Sequence, residues 1–196
     1  KMANKPKPEH ENANRILATA WRLFQQKGFK GVTIDEICSG CGLTKPTLYY
    51  YYRDKEGLFV SVLQHQLALF NRVLTQPGNI EQQLQRLAVA ILENFQIEYS
   101  VLMRDRAHIK KPENQAAVRE AFRSGLFNPL LLLMETGLKN GDLQARNPEV
   151  LTLAFLGIIN NFINRGAESG TSTAELAAEL TQLFLQGAKG QRAGFT

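Results

Sequence analysis

With 196 residues, 44% hydrophobic and 21% charged, the chain has room for a small head and a larger body and shows an ordinary globular balance. No apolar run reaches the length of a membrane span and no charged-then-apolar leader opens the sequence, which points to a cytoplasmic protein without a membrane partner. The formal charge of +5 is unevenly placed: residues 1–55 hold ten Lys+Arg against five Asp+Glu, and residues 56–196 hold thirteen of each.

Lys1–His10 is a basic arm with two prolines, read either as a loose terminus or as a strand of added phosphate contacts. A helical stripe follows over Asn14–Gln26, carried by Ile16, Leu17, Ala20, Trp21, Leu23 and Phe24. The segment Thr33–Leu58 then reads as two short helices joined by a tight turn. Thr33 and Glu36 have the spacing of a capping box. Ile34 and Ile37 give one buried face. Gly40 and Gly42 suit a helix stop, Leu43 an apolar plug, and Thr44 an N-cap. Pro46 falls in the first turn of the second helix, where a missing N–H costs little.

On that second helix Leu48 is expected inside, and Lys45, Thr47, Tyr49 and Tyr50 outside. Lys45 can meet a phosphate or a guanine edge, and Thr47 can offer a hydroxyl or a methyl to a base. Tyr49 and Tyr50 can bond phosphates and cover sugars. Asp54 is expected to cap the next helix and to place Lys55 near the backbone of a bound duplex. Four consecutive tyrosines are unusual on a plain surface, and the net positive charge lies in this part of the chain. Both features suit a reader of double-stranded DNA.

The residues Ala13–Gly28, Phe29-Lys30-Gly31-Val32-Thr33, the Ile37–Gly42 turn, and Thr44–Tyr52 running into Asp54-Lys55-Glu56-Gly57-Leu58 resemble the DNA-binding head of the TetR family of transcriptional regulators, its AcrR-like members included. The resemblance covers about the first third of the chain. Cys38 and Cys41 depart from it, standing where small residues such as Ala are usual, and Tyr52 stands where Phe is common. The resemblance implies an all-α fold of roughly nine helices. Its three-helix head would occupy residues 1–55, and a ligand-binding and dimerisation body residues 56–196. The DNA-binding residues implied are Thr33, Thr44, Lys45, Pro46, Thr47, Tyr49, Tyr50 and Lys55.

The body reads as helix almost throughout, over Glu56–Leu74, Ile80–Tyr99, Val101–Ile109, Glu113–Lys139, Pro148–Arg165 and Thr173–Lys189. A loop is expected at Gln76–Asn79 and a kink near Gly125 and Pro129. Family resemblance implies a small-molecule effector site in the middle helices. Phe70, Phe95, Tyr99, Met103, Phe122, Phe127 and Met134 are its apolar candidates, each also readable as ordinary core. Polar candidates are His65, Glu98, Arg104 and His108.

The helix after Pro148 is apolar on most sides, so it is expected to be covered on most sides. With the last helix it would build a four-helix homodimer interface through Phe155, Ile158, Ile159, Phe162, Leu176, Leu180, Leu183 and Phe184. A fully internal core is the competing reading.

The expected function is a regulator, read as a repressor released from a pseudo-palindromic operator by a mainly apolar ligand. No cofactor or metal is implied. Cys38 and Cys41 have C-x-x-C spacing with no further Cys or His close in sequence. They are read as two small buried residues, with a thiol redox switch as the alternative. No nucleophile elbow, HExxH, phosphate loop or sensibly spaced carboxylate pair appears, which leaves a helical enzyme as the remote alternative.

Overall fold

The computed structural model describes residues 8–95, 108–144, 147–163 and 170–189. Every regular element among them is helical: α1 (Pro8–Gly31, bent at Gly28), α2 (Ile34–Cys41), α3 (Lys45–Tyr51), α4 (Lys55–Leu74), α5 (Ile80–Asn94), α6 (Pro112–Phe122), α7 (Asn128–Asn140), α8 (Pro148–Asn161) and α9 (Thr173–Lys189). A π-helical turn, Arg123–Phe127, joins α6 to α7 without a break, so about nine expected helices become eight separate rods among the described residues.

Helix starts follow the side chains. Thr33 and Glu36, Asn79 and Gln82, and Ser172 and Glu175 exchange side-chain-to-backbone hydrogen bonds as capping boxes. Asp54 accepts the Gly57 N–H at 2.8 Å at the start of α4. Asn147 accepts the Glu149 N–H at 2.9 Å beside Pro148. Each bond satisfies a backbone donor that has no partner inside its helix.

Contacts divide the chain into two compact units. The first comprises residues 1–66 and 100–120. Its core is an aromatic cluster in which Phe59 meets Phe24 and Phe29 edge-on, each at 5.1 Å between ring centres. Ile16, Ile37 and Leu48 are fully buried in the same unit. By packing, this unit extends past residue 55 and takes in α6 as far as residue 120. There the Glu56 carboxylate accepts the backbone N–H groups of Lys110 and Lys111 at 3.0 and 3.2 Å and the Asn114 amide at 3.2 Å. The Lys111 ammonium pairs with Asp54.

The second unit comprises residues 67–99 and 121–196. Within it α9 packs on α5 and α8, and α7 packs on α8. Phe70 stacks on Phe95 at 5.5 Å, and Phe155 meets Phe184 edge-on at 5.2 Å. The kink expected near Gly125 and Pro129 is the π turn. Asn128 donates to the Arg123 carbonyl, five residues back, just before a proline that has no N–H to give. Gly125 sits tight against α4: a Cβ there would lie 2.9 Å from the Leu67 carbonyl oxygen.

Candidate nucleic-acid interface

The helix-turn-helix is set by local rules. Glu36 donates its N–H to the Thr33 hydroxyl at 3.2 Å, and its carboxylate accepts the Thr33 N–H at 2.8 Å. That carboxylate also pairs with Lys27. The Lys27 bond first, then the two Thr33 bonds, lower the Glu36 pKa to about 2. α2 ends at Gly42, which is left-handed at φ 65° and donates back to the Cys38 and Ser39 carbonyls. An L side chain is strained at that angle. Arg15 of α1 donates to the Cys41 carbonyl at 2.6 Å and ties the first helix to the turn.

α3 opens at Thr44. Its hydroxyl accepts the Thr47 N–H at 3.4 Å and lies 2.9 Å from the Thr47 hydroxyl. Leu48 is fully buried, as its spacing predicts, and fixes which side of α3 faces out. That outer side carries Lys45, Tyr49 and Tyr50, the last two 47% and 74% exposed. Two aromatic rings so exposed leave much apolar surface in water. Thr47 is half-buried, Pro46 and Thr33 are exposed, and Tyr50 and Tyr51 meet edge-on at 5.1 Å. Tyr52 turns inward: its hydroxyl donates to the Ala13 carbonyl of α1 at 3.4 Å, and burial raises its pKa.

Two residues behave differently from a simple array of outward cations. The Lys55 ammonium lies over the Phe29 ring, 4.6 Å from its centre, so this half-buried residue also packs on the core. Lys45 is held by Asp35 of α2, ammonium to carboxylate at 2.8 Å. The hydrogen bond to Asp35 raises the Lys45 pKa, so it is fully charged at neutral pH. Reading outward positions on α3 alone does not find Asp35. The available signal was an acidic residue in the first turn of the helix crossing behind it.

Cys38 and Cys41 are buried and unjoined. Burial first, then Cys41 and Asp35, push the Cys38 thiol up, away from the reactive thiolate.

The body candidates fall into three groups. Phe70, Phe95 and Met134 are buried in the second unit, and Phe122 and Phe127 are half-buried with ring centres 6.3 Å apart. His108 is half-buried in the first unit and His65 is exposed. Glu98, Tyr99, Met103 and Arg104 lie outside the described residues.

Among the interface candidates, Phe155, Ile159, Leu176, Leu180 and Phe184 are buried within the second unit itself. Ile158 and Phe162 are half-buried, and Leu183 is 61% exposed. Val150 and Leu153, 57% and 59% exposed, extend the outward apolar face, with Gly157 and Gly187 open beside them. Val150 and Leu153 belong to the apolar stretch read from sequence but not to the eight interface candidates, because α8 is apolar on most sides.

Residues 16–62, which span this helix-turn-helix, match the family model of bacterial regulatory proteins of the tetR family. The HTH-type transcriptional regulator YerO of Bacillus subtilis is 36% identical over 75 residues, 38% of this chain and 25% of that protein. The chain thus spans only about a quarter of that relative. NicS, an HTH-type transcriptional repressor of Pseudomonas putida, is 28% identical over 180 residues, 85% of this chain and 81% of NicS. The fold matches the regulator FadR of Bacillus subtilis, solved with stearoyl-CoA. The TM-score is 0.69 at 14% identity, over 89% of this chain and 98% of FadR.

Proposed function

We propose, on the match of residues 16–62 to the tetR family model, that this chain is a homodimeric transcriptional repressor of the TetR family that a mainly apolar effector releases from its operator. Its relatives and its fold are those of regulators, not enzymes. The observation that carries the DNA reading is the outer side of α3. Two tyrosines and a lysine stand exposed there, on a short helix fixed by Thr44, Gly42 and buried Leu48. In a helix-turn-helix the second helix enters the major groove, and dimers place two such helices about one DNA turn apart. The excess of Lys+Arg within residues 1–55 supplies the attraction to phosphate.

Dimerisation is supported by the exposed Val150, Leu153 and Leu183, with Gly157 and Gly187 leaving room for close helix approach. Leu153→Glu should convert a sedimenting dimer to monomer; an unchanged dimer would place the interface elsewhere. The apolar effector is supported by the many phenylalanines of the second unit and by the acyl-CoA ligand of FadR. Among the described residues no helix is long and apolar enough to cross a membrane.

The primary test is fluorescence anisotropy on DNA flanking the protein's own gene, against scrambled DNA, across a salt series. Sequence-selective binding with a steep salt slope is expected, and equal weak binding at low salt argues against the reading. Long-chain acyl-CoA added to the complex should lower the anisotropy; no release by any apolar ligand class would remove the effector proposal.

A further inference from the structure

We infer that Asp35 is a specificity-determining residue of the DNA interface, which holds Lys45 back from phosphates and leaves it for a base edge. The inference rests on the DNA-binding reading above. It starts from the ion pair that joins the two helices of the motif: Lys45 Nζ lies 2.8 Å from Asp35 Oδ1, with side chains 51% and 72% exposed. A pair so open to water contributes little to folding, so its placement asks for another account. Lys45 and Tyr49 are one turn apart and share a face of α3. The carboxylate therefore stands beside the cation that the interface presents.

An ammonium bound to one carboxylate has further N–H donors free. A guanine edge offers two acceptors, O6 and N7, and its paired cytosine offers an N4 donor that a carboxylate can accept. The Lys45–Asp35 pair presents both halves of that pattern, a donor and an acceptor side by side. A phosphate offers acceptors only. To meet the free N–H donors of Lys45 it must come close to the negative charge of Asp35. The pair thus weakens non-specific binding, which is mostly phosphate neutralisation, more than it weakens binding to a fitting G·C pair.

The test is selection from a pool of random-sequence duplexes by the wild-type protein, by D35N, by K45Q and by the double variant. Anisotropy then follows on the enriched duplex and on the unselected pool across a potassium chloride series. Wild type should enrich a sequence with a fixed G·C pair in each half. D35N should bind the unselected pool more tightly, with a salt slope steeper by about 0.9 per subunit as Lys45 joins a phosphate. Its preference for the enriched duplex should fall about tenfold. In the K45Q background, D35N should leave the slope unchanged, because the residue acts through Lys45. Equal slopes and equal preference in wild type and D35N would overturn the inference alone, as would a D35N effect on the slope that persists without Lys45. Failure of wild type to enrich any sequence would overturn the DNA-binding reading itself.

Discussion

The two units of this chain use aromatic residues in opposite ways. In the first, Phe24, Phe29 and Phe59 close a core, while Tyr49 and Tyr50 stand in water on α3. In the second, Phe70, Phe95, Phe155 and Phe184 are all buried. In the first unit the caps at Thr33 and Thr44 and the stop at Gly42 fix α3 residue by residue, whereas the second, its helices capped as well, buries its rings in packing that many apolar residues could supply. A substitution should therefore separate binding from folding readily in the first unit and rarely in the second.

The sharpest contrast comes from the cores. Phe59→Ala and Phe155→Ala each empty a fully buried ring site and should each cost about 3–5 kcal/mol in urea unfolding. If the two units melt separately, each variant should move one transition; a single shared shift would show that they unfold together.

Gly125→Ala is the next largest. The added methyl would meet the Leu67 Cβ at 2.8 Å and its carbonyl at 2.9 Å, neither of them a flexible side-chain end. Overpacking of this kind costs about 1–3 kcal/mol, readable as a lower denaturation midpoint. An unchanged midpoint would mean that the π turn shifts freely.

Tyr50→Ala should break the comparison in the other direction. The residue is 74% exposed, so stability should change by no more than about 0.5 kcal/mol. Operator affinity should fall by about 1–3 kcal/mol, as for Tyr49→Ala and Thr47→Ala. Wild-type anisotropy curves in all three would move the interface off α3.

What sequence made legible follows the same divide. The capping box at Thr33, the stop at Gly42, the N-cap at Thr44 and the inward Leu48 are decided within four or five residues, so they can be read in order along the chain. The bonds from Lys110, Lys111 and Asn114 to Glu56 span more than fifty residues and leave no local trace. In α8 nearly every position is apolar, so periodicity cannot say that Phe155 and Ile159 turn in while Val150 and Leu153 turn out. The Lys45–Asp35 pair lies between: both residues sit in the recognised motif, yet only the crossing of α2 and α3 brings them together.

The smallest expected effect is acid sensitivity, and it belongs to the first unit. Glu36 is lowered from its ordinary 4.5 to about 2 by Lys27 and Thr33. A carboxylate with a depressed folded pKa binds fewer protons than its unfolded counterpart. Its contribution is therefore complete above about pH 4.5 and is lost as pH falls toward 2. The Lys111 bond to Asp54 acts in the same direction. For Glu56 burial pushes upward, but the bonds from Lys110, Asn114 and Lys111 outweigh it. Glu175, held down by Ser172, is the second unit's counterpart. Because Glu36 is only half-buried, solvent screens its contribution and the effect should be modest. Between pH 4.5 and 2 the denaturation midpoint of wild type should fall faster than that of Glu36→Gln, which also loses the Lys27 pair at every pH. Parallel curves would show that the capping box holds α2 through its neutral hydrogen bonds alone.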